Sequence, residues 1–90
     1  MKKVVLDGSA IEDVLHLHDL LQELLELPDY YGRNLDALWD CLTGEVALPL
    51  MIEWVHYAAS RQKLGDAAEQ FVELFRDAER ELADFHFIIA

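Results

Sequence analysis

Three short apolar segments constrain this chain most: KVVL at residues 3–6, LMIEW at 50–54 and FHFII at 85–89. Each has the length and the β-branched or aromatic content of a buried strand, and long stretches with helical periodicity separate them. Strands separated by helical crossovers are expected to run parallel, whereas antiparallel neighbours can be joined by a tight turn. The pattern therefore predicts an α/β fold with a small parallel sheet, in the order strand, helix, helix, strand, helix, helix, strand. Ninety residues are too few for two separate cores, so residues 1–90 are expected to form one domain.

The helical stretches have recognisable limits. Val14, Leu17, Leu20, Leu21 and Leu24 recur at helical spacing and share one face of a helix from about Asp13 to Leu25. Its start has two candidate signals, Asp13 itself and a Ser9/Glu12 capping box, and Pro28 bounds it from beyond. Asn34 is a good N-cap for a second helix, whose stripe of Leu35, Leu38, Trp39 and Leu42 runs to a stop near Gly44. A third helix is expected from about Val55 to Lys63. The fourth starts at Gly65 and Asp66, with Ala68, Phe71, Val72, Phe75, Ala78 and Leu82 inward and Glu69, Glu73, Asp77 and Glu81 outward.

Charge narrows the function. Eighteen Asp and Glu against seven Lys and Arg give a formal charge of −11, which argues against nucleic acid and for a basic partner. Cys41 is alone, so no internal disulfide can form, and a free thiol suits a reducing compartment. The N-terminus has too short an apolar run for an export signal, and no segment is long and apolar enough to span a bilayer. A soluble, cytoplasmic protein is the expectation.

The segment PDYYGRNLDALWDCLTG, residues 28–44, carries the most distinctive chemistry. At about 100° per residue, Leu35, Leu38 and Leu42 fall on one side of the second helix and Asp36, Asp40 and Thr43 on the next, with Trp39 between them. The two aspartates repel slightly within the helix. Tyr30 and Tyr31 beside Gly32 could flank these carboxylates, which would give the composition of an interface for a cationic partner. The plainer alternative is a solvated acidic face over a core tryptophan.

The run YYGRNLDALWDCLTG, together with Leu48, Pro49 and Leu50 leading into EW, and FRDAE in the last helix, resembles the barstar family of intracellular ribonuclease inhibitors. The likeness spans nearly the whole chain, strongest over residues 28–44 and thin over 9–26. It implies a barstar-like fold, three parallel strands packed with about four helices, and no enzymatic activity or cofactor. It further implies that the second helix and its preceding loop plug the active site of a basic, secreted, barnase-like microbial ribonuclease in a 1:1 complex. Asp40 would be the central phosphate mimic and Asp36 its neighbour. Tyr30, Asn34, Leu35, Trp39, Thr43 and Gly44 would contact the enzyme, with Tyr31 and Gly32 in the same loop.

Three departures from the family pattern bear on the target. Glu45 stands where the family has a tryptophan, Asp77 where it has a glutamate at a contact position, and Ala83 where it has a second cysteine. Leu48 replaces a tyrosine before a proline whose peptide bond is cis in the family. A barstar-fold module for a different basic protein is therefore the alternative reading. His16, His18, His56 and His86 have no metal-ligand spacing and read as structural, and Cys41 reads as a buried thiol without a neighbouring base. Asp36 and Asp40 point the same way from adjacent turns, a poor arrangement for glycosidic cleavage or for enclosing a cation.

Overall fold

A computed structural model describes the whole chain from Met1 to Ala90. Its elements are β1 (Lys2–Asp7), α1 (Val14–Leu24), α2 (Leu35–Gly44), β2 (Leu50–Val55), α3 (Tyr57–Leu64), α4 (Asp66–Glu81) and β3 (Phe85–Ile89). The three strands form one parallel sheet in the order β1-β2-β3, so the predicted α/β class and strand direction hold. Val4 pairs with Ile52 and Ile52 with Phe87, which aligns the inward residues of all three strands in one row.

The sheet is covered on one face only. Val4, Leu6, Leu50, Ile52, Trp54, Phe85 and Phe87 are buried there against the helices, while Val5 and Ile88 on the opposite face are exposed. The apolar runs had suggested buried strands, yet Met51, Glu53 and Val55 are only half-buried. Four short helices cannot wrap both sides of a sheet, and they collect on the side where the aromatic residues lie. Leu17 and Leu21 of α1, Leu38 and Leu42 of α2, and Phe71 and Phe75 of α4 complete that core. Truncating one of these to alanine would cost about 2–5 kcal/mol.

Several boundaries resolve differently from the sequence reading. Asp13 is the N-cap of α1, its Oδ1 accepting from the His16 N–H at 2.7 Å. Ser9 instead donates its hydroxyl to Asp7 at 2.6 Å, so the Ser9/Glu12 box does not form. α3 starts at Tyr57 because Val55 still pairs with Asp7 in the sheet and His56, at φ 51°, turns the chain. On α4, Leu74 is buried whereas Val72 and Leu82 are half-buried, since Leu74 faces α2. Gly44 does not leave the helix by a left-handed residue. It is the last helical residue, and the Glu45 N–H closes the turn on the Cys41 carbonyl.

Two buried polar contacts tie the crossover ends together. The Trp54 indole N–H donates to Ser60 Oγ at 3.1 Å, and that hydroxyl donates to the Gly8 carbonyl at 3.0 Å. Gly8 is required here, because a Cβ would stand 2.3 Å from the His56 carbonyl oxygen. The Leu48–Pro49 bond is cis.

Candidate functional site

The loop from Pro28 to Asn34 is anchored at both ends, and this fixes what α2 presents. The Tyr31 N–H donates to the Pro28 carbonyl at 2.9 Å. Asn34 caps α2, its Oδ1 accepting from the Ala37 N–H at 2.8 Å and its Nδ2 donating to the Gly32 carbonyl at 3.2 Å. A cap that serves both the helix and the preceding turn holds Gly32, Arg33 and Asn34 rigidly against the first turn.

The two adjacent tyrosines have opposite fates. Tyr31 is buried, its hydroxyl 2.6 Å from His18 Nδ1, and His18 packs in turn on Phe71 with ring centroids 5.0 Å apart. Burial pushes the Tyr31 phenol well above its usual range and holds His18 below its own, so both are neutral. Tyr31 therefore does not share the outer surface with the carboxylates, as the sequence had suggested; it is the bolt under the loop. Tyr30 is 79% exposed and donates its hydroxyl to Glu45 Oε1 at 3.2 Å. That bond and the Glu45 charge raise the Tyr30 phenol.

The remaining expected residues are brought together. Asp36, Asp40, Thr43, Gly44 and Glu45 are exposed, and Leu35 and Trp39 are half-buried at the edge of the core. The Thr43 hydroxyl is turned back onto the Trp39 carbonyl at 2.8 Å. Asp77 reaches this surface from α4. It lines, with Leu35, Asp36, Trp39, Glu73 and Leu74, a groove of about 400 Å³ between α2 and α4. Cys41 is buried beneath, its thiol pushed up by burial and by the nearby Glu45 and Asp40. That combination makes it a poor nucleophile.

The ion pairs decide the electrostatics. Lys2, Lys3, Arg33, Arg61, Arg76 and Arg80 pair with Glu26, Glu53, Asp19, Asp66 and Glu69, Glu79, and Asp77 respectively. None of these partners is Asp36, Asp40, Glu45 or Glu73. These four exposed carboxylates thus have no internal cation to neutralise them, so their field projects outward. No three His, Cys, Asp or Glu side chains are close enough to hold a metal ion. No helix is long and apolar enough to cross a membrane.

The sequence places Glu73 only on the outward face of the fourth helix, with Glu69, Asp77 and Glu81, whereas the fold makes it part of the groove lining. The signal was its i, i+4 relation to Asp77, which puts both on the α4 face that meets α2. The crossing of the two helices was needed to see it.

A family model described as Barstar (barnase inhibitor) matches residues 1–89. A protein of Bacillus subtilis (strain 168), provisionally named ribonuclease inhibitor YrdF, is 47% identical over 89 residues, which is 99% of this chain and 98% of that protein.

Proposed function

The chain belongs to the barstar family, and on that premise we propose that it inhibits a small, secreted, barnase-like ribonuclease. It does so inside the cell that makes the enzyme, as one folding unit binding one enzyme molecule. The carboxylates of α2 occupy the places of RNA phosphates, with Asp40 central and Asp36 beside it. Asp77 and Glu73 extend the negative surface from α4, and Tyr30, Gly32, Asn34, Leu35, Trp39, Thr43, Gly44 and Glu45 form the rest of the contact.

The observation that carries this reading is the set of unpaired carboxylates on a rigidly capped helix. A ribonuclease must gather Arg, Lys and His around phosphate, and carboxylates already free of internal cations can satisfy those groups with charge-assisted hydrogen bonds. They offer no phosphodiester to cleave, so inhibition needs no chemistry. The loop and cap are pre-organised, which limits the ordering cost of association.

Titration of barnase against an RNA substrate tests this. One equivalent of the protein abolishes cleavage, and Asp40→Ala raises Kd at least about a hundredfold. That is an ordinary cost for truncating one partner of a desolvated charge pair, a range set partly by the barnase–barstar complex itself. Full activity of barnase-type enzymes at stoichiometric protein would overturn the reading. Glu45, held out by Tyr30 at a tryptophan position of the family, favours one second reading, a different basic protein as partner. Affinity capture from the source cells separates the two by whether the retained protein cleaves RNA.

A further inference from the structure

Beside the acidic groove lies a second cavity, of about 380 Å³, between α1, α2 and α4. Four of its nine lining residues are apolar, Val14, Leu35, Ala67 and Phe71, and the other five are polar or charged. Three helices open their first turns onto it, since Val14 begins α1, Leu35 begins α2 and Ala67 is the second residue of α4. The positive ends of their dipoles converge there.

Two side chains give the cavity a chemical preference opposite to that of the surrounding surface. His18 is 2% exposed, and its Nδ1 is taken by Tyr31. The phenol is the natural donor in that pair, which leaves the ring proton on Nε2. Nε2 has no hydrogen-bond partner in the fold, yet no enclosed polar atom is left unsatisfied, so it opens into the cavity that His18 lines. Arg33 stands at the mouth with φ 51°, a left-handed conformation that a non-glycine residue adopts at a cost. Its only ion pair is with Asp19 at 3.0 Å, both side chains being 53% exposed, and an exposed pair of this kind is weak enough to be exchanged.

We propose that this cavity is a socket for an acidic side chain of the inhibited enzyme. The carboxylate meets the Arg33 guanidinium and the His18 Nε2–H, and the methylene stem lies on Val14, Leu35 and Phe71. The inference rests on the inhibitory reading above, whose surface it adjoins: Leu35 and Asp36 line both the groove and the cavity. Asp36 does not repel such a group, because in the complex it is matched by an enzyme cation. Arg33 is the one cation bordering either concavity. The socket would select, among basic nucleases, those with an acidic residue beside the phosphate site.

The sign of one substitution separates the socket from general electrostatics. Arg33→Ala makes the protein one unit more negative than its formal −11, so steering alone predicts equal or faster association with a basic enzyme. The socket predicts the reverse: Kd for barnase rises at least about tenfold, mostly through faster dissociation. Lys63→Ala, on α3 and without an ion pair, is the charge-matched control and does not weaken binding. Ala67→Leu narrows the cavity without changing charge and weakens binding as Arg33→Ala does, with melting curves confirming that both variants fold. If Arg33→Ala and Ala67→Leu bind barnase as tightly as the parent while Asp40→Ala does not, the socket is wrong and the inhibitory reading stands. If the parent itself leaves barnase active, the reading fails and the socket falls with it.

Discussion

The neighbouring tyrosines permit a crossed experiment. Tyr31→Phe keeps the ring in the core and removes only the hydroxyl that lies 2.6 Å from His18 Nδ1. Because His18 is 2% exposed, water has little access to replace that bond, and an enclosed group left without its partner costs about 1–3 kcal/mol. Taking about 2 kcal/mol, a domain of this size should melt about 8–16 °C lower. Urea unfolding should show a lower midpoint with the slope unchanged, since the surface exposed on unfolding is the same. Barnase inhibition below the transition should survive, because Tyr31 lies inside. Tyr30→Ala should do the opposite. That ring is 79% exposed and its bond is to an exposed Glu45, so stability should change by no more than about 0.5 kcal/mol while inhibition weakens. A Tyr31→Phe variant that melts within about 2 °C of the parent, or one that loses affinity and keeps its stability, would refute the division of labour.

Two further outcomes follow from the core. Burial lowers the His18 pKa from 6.5, so the unfolded chain takes up a proton at a pH where the folded one does not; stability should be level above about pH 6.5 and fall below it, with a slope of at most about 1.4 kcal/mol per pH unit. Urea midpoints from pH 8 to pH 5 check this, and His18→Gln should flatten that interval; Asp7, held below its ordinary 3.8 by the Ser9 bonds, contributes only in the more acidic range. Gly8→Ala forces a Cβ to within 2.3 Å of the His56 carbonyl and 2.7 Å of Ser60 Oγ, both part of the buried connection to Trp54, and should destabilise by about 1–3 kcal/mol or more in the same assay.

The strands and the parallel topology were legible because three apolar runs and the helices between them leave few alternatives. α2 was legible to its cap, because Asn34 and the stripe of Leu35, Leu38 and Leu42 are local signals. Residues whose role depends on a distant partner were not. Nothing local distinguishes Tyr31 from Tyr30; the difference is made by His18, thirteen positions earlier on α1. Glu73 and Leu74 became part of the groove only through the crossing of α2 and α4. The open face of the sheet was hidden for a related reason: Val5 and Ile88 are apolar, and their exposure reflects how few helices are available to cover them. The ion pairs that leave Asp36, Asp40, Glu45 and Glu73 uncompensated likewise depend on where each cation is carried by the fold.

Competition with a nucleotide for the enzyme tests the account most directly. Barnase is first equilibrated with increasing guanosine 3′-monophosphate, and the apparent Kd of this protein is then measured by calorimetry. If the α2 carboxylates take the place of RNA phosphates, the apparent Kd rises in proportion to nucleotide concentration and no ternary complex is seen. An affinity that stays constant at saturating nucleotide, with both ligands bound to one enzyme molecule, would contradict phosphate mimicry.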